Sequence, residues 1–575
     1  MLPAIAVWTG TFIATGRGPW WVAVPLAGGV TVVVVRAARH TRGRPGARWG
    51  GGSRVGAAVC LALAAGLVVG SVHRAGLGSG PVDELAAERA TVQAWGVVTA
   101  DPVRALTSVP ARTPGRAETM FVATVRLDGL LARGRSFRVR TPVVVLARDR
   151  SWGRLLPGQR VGLSGRLGPA RAGQPAAAVL SVRGPPVLEG EPPWVQRAAG
   201  ELRAGLRRAS DGLPSGQRGL LPGLVVGDTS RLPAALSEDF RTAGLTHLTA
   251  VSGANLAIVT GFVLLVGRYA GLRGRALPAA AALAMGGFVV LARPQPSVLR
   301  AAVMGAVALA ALASGRRRRS LAALGASAVV LLLLDPWLAR SYGFVLSVLA
   351  TGALVLLAPG WARRWQDRGV PSVLAHALAV PLAAQLVCAP VVAMLSGQVS
   401  LVAVPANLLV APAIAPATVL GVLATVASAV HPPTAGVLAW VAGLFVWWVV
   451  AVAQRAAAVP WAAVGWPGTV TGALLLSAIV LAGIPAARRL ARRPGHAAAA
   501  GLLLSVVLVV PAERPGWPPR DWLLAACDVG QGDALVLAAD GDRGVVVDAG
   551  PDPRAVDRCL QRLGVREVPL VVLTH

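Results

Sequence analysis

The last part of the chain carries two aspartates and a histidine with the spacing of a metal-dependent hydrolase. Asp533 follows a glycine-rich turn, Asp548 follows the apolar run 544–547, and His575 follows the run 570–573. A carboxylate and an imidazole at the ends of neighbouring strands can hold a borderline metal ion, which activates water for hydrolysis. Each residue alone is a weak signal, because an aspartate beside a glycine usually marks a turn. The three in order predict a metal site.

A second set of polar residues opens a long apolar block in the middle of the chain. Residues 246–255 read Thr-His-Leu-Thr-Ala-Val-Ser-Gly-Ala-Asn and place His247, Ser252 and Asn255 at its start. Polar groups in a membrane are costly unless they face a bundle interior or a water-filled path. These three residues are therefore candidates for lining such a path. The alternative is that Ser252 and Asn255 are hydrogen-bonded packing residues at the start of a helix.

Two charged residues lie further along this block. Arg300 stands just inside an apolar run, and Asp335 precedes Pro336. Ionisable residues within membrane segments are functional candidates by default. The alternatives are a structural ion pair, or side chains that extend to the membrane surface.

Composition indicates the class of protein that positions these residues. Of the 575 residues, 54% are hydrophobic and only 14% are charged, and the mean hydropathy is +0.61. Many runs reach the roughly 18 apolar residues of a membrane span. The sequence therefore predicts a polytopic α-helical membrane protein and excludes an ordinary soluble one.

The basic residues are all arginine, because the sequence contains no lysine, and the net charge is +30. Such an excess suits anionic partners, either lipid head groups or nucleic acid. Many of these arginines are equally explained as orientation signals in cytoplasmic loops. Without lysine the chain cannot contain a Walker A loop, so an ATP-driven process would need a separate motor.

Changes in composition divide the chain into five predicted regions. These are N-terminal transmembrane segments (1–72), an exported β domain (73–195), amphipathic interfacial helices (196–245), a transmembrane core (246–511) and the start of an α/β domain (512–575). In the β domain, short β-branched runs between residues 91 and 182 predict a small barrel, for which the OB-fold is one architecture. Arg138, Arg140 and Trp152 are its candidate nucleic-acid contacts, since such barrels use basic grooves and stacking aromatics.

The core contains ten predicted spans, and its basic loops predict their orientation. If residues 73–245 lie outside the cell, every strongly arginine-rich loop of the core falls in the cytoplasm. The same count places the region after residue 510 outside, where Cys527 and Cys559 could pair. The run 401–429 holds three prolines and is predicted to be a broken or re-entrant helix.

Taken together, the motifs resemble the ComEC family, the DNA-internalisation channels of bacterial competence. The resemblance rests on His-Leu-x-Ala-x-Ser-Gly at 247–253, Pro-Ser-Val-Leu-Arg-Ala at 296–301, Asp-Pro at 335–336 with Gly-Phe-x-Leu-Ser at 343–347, and Asp-Val-Gly-Gln-Gly-Asp-Ala at 528–534. In this order the set is highly specific, although each motif alone is not. One departure is Asn255, where many members carry histidine.

The resemblance implies a multi-pass protein of the bacterial cell membrane that passes single-stranded DNA into the cytoplasm. It implies an OB-like exported domain that holds DNA, and a metallo-β-lactamase-like domain that begins after residue 511 and is incomplete in this chain. The path residues would be His247, Ser252, Asn255, Arg300 and Asp335.

For the lactamase-like domain the resemblance implies a nuclease that degrades the other DNA strand. His575 would be its first metal ligand, Asp548 and Asp533 its catalytic carboxylates, and zinc or manganese its cofactor. Because the later ligands of the family motif are missing, enzyme activity of this chain stays an open question.

The implied partners are single-stranded and double-stranded DNA, a DNA-receptor protein outside, a separate cytosolic ATPase and membrane lipids. Two alternatives to DNA uptake remain at this point. One is a membrane transporter or hydrolase for another anionic substrate, and the other is an inactive truncated homologue.

Overall fold

The computed structural model describes residues 1–16, 51–78, 80–106, 119–170, 174–249, 251–293, 296–313, 320–490, 522–527, 529, 534–539, 541–550 and 553–573. They form two units. The larger comprises Met1–Ala105, Thr119–Ala457 and Ala462–Ala486, and the smaller includes Ala487–His575.

The strands between residues 91 and 182 pair in a closed ring. They are β1 Thr91–Val98, β2 Val103–Leu106, β3 Thr119–Ala132, β4 Arg135–Ala147, β5 Arg160–Pro169 and β6 Ala178–Val182, with β7 Val187–Leu188 following. β1 pairs with β3 and β5, β3 pairs with β4, and β6 lies between β4 and β5. All pairs in this ring are antiparallel except β4 with β6. The circuit β1-β3-β4-β6-β5 thus returns to β1.

Alternation of side chains builds the interior of this ring. In β1 every second residue is buried, among them Val92, Ala94 and Val98. Successive residues of a strand point to opposite faces, so this period of two lines one face with apolar groups. The strands predicted from β-branched runs between residues 91 and 182 are confirmed as β1, β3, β4, β5 and β6.

Trp152 is a core residue of the barrel and not a DNA contact. It lies in the 3₁₀ turn Arg150–Arg154, is fully buried, and donates a hydrogen bond from Nε1 to the Gly184 carbonyl at 3.0 Å. A ring that is enclosed on both faces cannot stack on a base, so the prediction that Trp152 binds DNA is wrong. Arg138 and Arg140 occupy alternate, exposed positions on β4.

We expect Trp152→Phe to destabilise the protein without changing its DNA affinity. The variant leaves the half-buried Gly184 carbonyl without its donor and removes part of a fully buried ring, which together cost about 1–3 kcal/mol. The midpoint of urea unfolding of the detergent-solubilised chain and its affinity for an oligonucleotide would be compared with those of Trp95→Phe, because Trp95 is 38% exposed. Loss of affinity at unchanged stability would restore the contact role.

Helices form the remainder of the larger unit. They are α1 Leu2–Ala14, α2 Gly51–Gly78, α3 Pro81–Ala87, α4 Trp194–Ala209, α5 Ser215–Val226, α6 Ala234–Thr242, α7 Gly253–Tyr269, α8 Ala276–Ala292, α9 Pro296–Ala313, α10 Ser320–Leu334, α11 Tyr342–Leu356, α12 Ala358–Gln366, α13 Ser372–Ser396, α14 Ala403–Val430, α15 Pro432–Ala458 and α16 Val470–Leu490. A two-stranded antiparallel sheet of β8 Gln398–Ser400 and β9 Ala463–Gly465 joins the loop before α14 to the loop after α15.

Four stretches in the described part of the chain are long and apolar enough to cross a membrane. They are Tyr342–Gln366, Ser372–Ser396, Ala403–Val430 and Pro432–Ala458. A fifth is added if the bent pair Leu61–Leu77 and Pro81–Ala87 is one span. The helices α1, α7 and α8 are apolar but shorter than these. The predicted span 497–511 lies outside the described residues.

The proline-rich run 401–429 forms one helix, so the prediction of a break is wrong. Pro405 falls in the first turn of α14, where its missing amide would have no helical partner. Pro412 and Pro416 lie inside the helix, where a proline removes one backbone hydrogen bond. Next to the first of them, Trp448 Nε1 on α15 donates to the Leu409 carbonyl at 2.8 Å. Pro412 cannot donate to the Leu408 carbonyl, so the Trp448 bond supports the helix beside the proline and does not replace the missing bond.

The smaller unit contains the predicted α/β elements. β10 Leu524–Cys527, β11 Ala534–Ala538, β12 Gly544–Val547 and β13 Val571–Val572 form a sheet in that order, with α17 Pro553–Leu563 between the last two strands. β12 and β13 are parallel. Cys527 at the end of β10 is joined by a disulfide to Cys559 on α17, with Cα atoms 6.0 Å apart.

Candidate functional site

The helices of the larger unit surround a cavity of about 2290 Å³. Its wall comes from one face each of α7, α9, α10, α11, α13 and α14, and most of it is apolar. The charged and titratable polar side chains on it are Arg241, His247, Arg300 and His376, and no aspartate or glutamate is among the described residues of the wall. Glu238 pairs with Arg241 at 2.6 Å, so among the described residues of the wall Arg300 is the arginine without an acidic partner, and it favours an anionic occupant.

His247 lies at this wall, as predicted, in the 3₁₀ turn Thr246–Leu248 ahead of α7. Its imidazole is exposed to the lumen of the cavity and not enclosed in side chains. An imidazole in this position can donate hydrogen bonds or accept one from an occupant of the cavity.

Ser252 and Asn255 also reach the wall, but their polar atoms are engaged in packing. Ser252 is the N-cap residue of α7, and its Oγ donates to Asn255 Oδ1 at 3.3 Å. Asn255 is fully buried, and its Nδ2 donates to the Leu224 carbonyl of α5 at 2.7 Å. The side chain of Asn255 therefore ties α7 to α5, which is the role that the packing alternative predicted.

Arg300 lies on the same wall and is 4% exposed. Its Nη2 donates to Ser297 Oγ one turn earlier in α9 at 3.1 Å, while its Nε has no hydrogen-bond partner. In the described part of the protein it forms no ion pair with a carboxylate. A Cβ placed on Gly343 at the start of α11 would be 3.4 Å from Nη2, so the guanidinium lies against that backbone.

Asp335 is not among the residues that line this cavity, and its place on the path stays a prediction. Its carboxylate accepts a hydrogen bond from the Trp337 amide at 3.1 Å and caps the 3₁₀ turn Pro336–Arg340. An aspartate directly before proline commonly caps a turn. The motif thus places α11 by shaping the connection that precedes it.

A cluster of ion pairs that the sequence did not reveal ties the barrel to the helices. Asp101, in the turn after β1, pairs through Oδ1 with Arg293 Nη1 at the end of α8 and through Oδ2 with Arg203 Nη2 on α4 at 3.6 Å. Arg207 Nη1 pairs with Asp228 Oδ2 at 2.6 Å. The buried position of Arg203 had one sequence signal, because it falls on the apolar face of α4 at helical spacing from Ala199 and Leu206.

The two carboxyls of this cluster have opposite pKa shifts. Burial raises the pKa of Asp101, and its arginine neighbours oppose that rise only in part. Burial also acts to raise the pKa of Asp228, but hydrogen bonds from Ser230 and Arg207 outweigh it and the pKa falls below its usual value. Asp228 therefore contributes stability that is present at neutral pH and is lost as the pH falls through its lowered pKa.

In the smaller unit, Asp548 directly follows β12, as predicted. Its amide donates to the Val572 carbonyl of β13 at 2.8 Å, so the carboxyl ends of these parallel strands lie side by side. Asp533 and His575 lie outside the described residues. Within the described ranges no three His, Cys, Asp or Glu side chains are placed to hold a metal ion. Of the three predicted residues Asp533, Asp548 and His575, only Asp548 lies among the described residues.

The described residues thus combine helices of membrane-spanning length with an internal cavity, an arrangement typical of a membrane protein. Residues 224–492 match the family model described as Competence protein. The chain is 31% identical over 215 residues to ComE operon protein 3 of Bacillus subtilis (strain 168). Residues 224–492 therefore form a Competence domain, and the chain is similar to the ComEC proteins over part of its length.

The match covers 37% of this chain and 27% of the Bacillus subtilis relative. It is thus a match to about a quarter of that protein. No solved structure matches the chain significantly. The region of the family model contains His247, Ser252, Asn255 and Arg300, whereas the barrel and the C-terminal sheet lie outside it.

Proposed function

We propose that this protein takes part in DNA uptake and that its cavity carries single-stranded DNA across the cell membrane. The observation that carries the proposal is the cationic wall around Arg300, which lacks a carboxylate among its described residues. Nucleic acid binding depends chiefly on neutralising backbone phosphates. The apolar remainder of the wall offers sequence-independent contact to bases.

The barrel provides separate support for the same proposal. Its circuit of five strands with one parallel pair is consistent with an OB-like barrel, an architecture that commonly holds single strands. Arg138 and Arg140 are exposed on β4 and would contact phosphates outside the cell. A DNA-receptor protein would deliver the duplex, and a cytosolic ATPase would pull the strand, since the chain has no lysine for a Walker A loop.

For the C-terminal sheet we propose a metallo-β-lactamase-like fold and metal-dependent hydrolysis of the other strand. Asp548 at a strand end beside parallel β13 is the structural support for this proposal. Zinc or manganese would supply the activated water. His575 and Asp533 keep their predicted roles as metal ligand and catalytic carboxylate.

Uptake of radiolabelled duplex DNA into a transformable strain that lacks its own relative tests the channel. The strain would receive the wild-type chain, Ser347→Trp on the cavity wall, or the matched control Val437→Trp on the exposed side of α15. We expect label inside cells with the wild type and the control, and loss of it with Ser347→Trp at equal protein levels. Full uptake without the protein, or through the plugged cavity, would refute the proposal.

A further inference from the structure

We propose that Arg300 and the first turn of α11 form a built site for one phosphate group on the wall of the cavity. The site deepens the proposed function and rests on it for the source of the phosphate, which would be a phosphodiester of the moving strand. Its elements are the Arg300 guanidinium, the Ser297 hydroxyl and the backbone at Gly343.

The buried charge of Arg300 is the first argument. A guanidinium that is 4% exposed has lost most of its water, and the described residues supply no carboxylate to replace it. An isolated charge in such a place is strongly unfavourable unless a counter-charge joins it. Its Nε is buried without an acceptor, which leaves one directed hydrogen bond unused. An anion at the wall would neutralise the charge of Arg300 and accept a hydrogen bond from its Nε.

The helix against which Arg300 lies is the second argument. α11 begins at Tyr342, and Ser341 accepts hydrogen bonds from the amides of Phe344 and Val345. The amides of Tyr342 and Gly343 belong to the first turn, where no intrahelical acceptor exists. The start of a helix carries a partial positive charge. The guanidinium of Arg300 and the partial positive charge at the start of α11 repel each other. An anion bound beside both is attracted to each of them.

Residue 343 has no side chain, so the space beside the guanidinium is open. A Cβ there would lie at van der Waals distance, 3.4 Å from Nη2 and 3.7 Å from Nη1 of Arg300. A methyl group at this position would fit against the guanidinium and would occupy space that a bound anion needs. Ser297 Oγ accepts a hydrogen bond from Nη2 and so fixes the orientation of the planar group. A fixed guanidinium suits the oxygen geometry of a phosphate.

One cationic side chain with a helix N-terminus matches the single charge of a phosphodiester. Inorganic phosphate and a lipid head group present the same oxygens, so the chemistry of the site is shared by three sources. The position on the cavity wall favours the strand, because the wall faces the proposed path.

Binding to the purified full chain in a phosphate-free maltoside detergent tests this site. The probes are a 12-nucleotide oligothymidylate, the same oligomer with an uncharged methylphosphonate backbone, inorganic phosphate and a short-chain phosphatidylglycerol. The variants are Arg300→Gln, Arg300→Lys and Gly343→Ala, with Arg268→Gln as the matched charge control because Arg268 is exposed and off the cavity wall. Thermal melting of each variant checks that it is folded.

We expect the dissociation constant of the oligothymidylate to rise about 10- to 100-fold in Arg300→Gln. Arg300→Lys keeps the charge and loses the planar group, and Gly343→Ala fills the space, so each should weaken binding about 3- to 10-fold. The methylphosphonate oligomer should bind wild type and Arg300→Gln alike. Equal affinity of the oligothymidylate for wild type, Arg300→Gln and Gly343→Ala would overturn the site.

The other outcomes separate this site from the proposed function. Oligothymidylate bound tightly but independently of Arg300 overturns the site and leaves the channel standing. Arg300-dependent binding of inorganic phosphate without any binding of the oligomer supports the site and counts against the channel. Arg300-dependent binding of the phosphatidylglycerol alone supports the site with a lipid as its source and likewise counts against the strand.

Discussion

Replacing Arg300 by glutamine is expected to lower DNA uptake by cells about 10- to 100-fold. The variant removes the buried guanidinium of Arg300 from the cavity wall. Among the described residues of that wall there is no second buried arginine. A hydrogen bond to a charged group contributes about 1.5–3 kcal/mol, and each 1.4 kcal/mol is a factor of ten. Internalised radiolabelled single strand and the frequency of transformants measure the effect.

The control for this experiment is Arg268→Gln, which makes the same change of charge in an exposed part of α7. We expect it to retain at least half of wild-type uptake. Membrane levels of both variants would be compared by immunoblot, since a guanidinium in a helix bundle can also stabilise the fold. Wild-type uptake by Arg300→Gln at a normal level would show that Arg300 is a structural residue only.

The largest effect on stability is expected from Asp101→Ala. This change leaves Arg203 and Arg293 buried, at 6% and 5% exposure, without their shared counter-charge. Removal of one partner from a buried pair costs about 3–5 kcal/mol, and we expect about 3 kcal/mol because Asp101 itself is one-third exposed. Thermal or urea unfolding of the solubilised chain, and proteolysis of the barrel, would report the loss.

Asp128→Ala serves as the matched control, since Asp128 lies on the barrel surface and its contact with Arg126 is a surface ion pair at 3.7 Å. Such pairs contribute about 0–1 kcal/mol. If the cluster is the cause, Arg293→Met in the Asp101→Ala background should recover part of the lost stability, because it removes one orphaned charge. Equal unfolding of Asp101→Ala and Asp128→Ala would contradict this explanation.

The ion pairs of Asp101 have a structural consequence for the path. The turn after β1 is held to α4 and to the end of α8, so the barrel is fixed to the helices by buried charges as well as by chain connectivity. Arg203 also donates hydrogen bonds to the carbonyls of Val226 and Leu291. These contacts join the domain proposed to hold DNA to the helices that surround the cavity.

Local patterns predicted the elements of this protein well where the pattern itself imposes the structure. Alternation of apolar residues at a period of two predicted β1, β3, β4, β5 and β6, because only a strand places such residues on one face. The polar entrance at His247 and the arginine at 300 were likewise predicted, since polar groups in an apolar block must face a path or a partner.

Predictions failed where the outcome depends on neighbours distant in the chain. Trp152 resembles a stacking aromatic beside arginines, but the fold of the barrel encloses it. Pro412 and Pro416 predicted a broken helix, but α14 continues from Ala403 to Val430 and packs against α15, from which Trp448 donates to the Leu409 carbonyl. No local pattern distinguishes an exposed tryptophan from a buried one.

The sequence by itself determined a membrane protein with two flanking β-containing regions, a cationic excess and the polar motifs of a competence family. Hydropathy and the spacing of apolar residues are properties of short segments, so they can be recognised in the sequence before the fold is known. Tertiary structure decided which of the polar residues meet. It engaged Asn255 with α5, paired Asp101 with two arginines and set Arg300 against Gly343. These contacts join residues from separate elements of the fold, and only packing brings such residues within reach of one another.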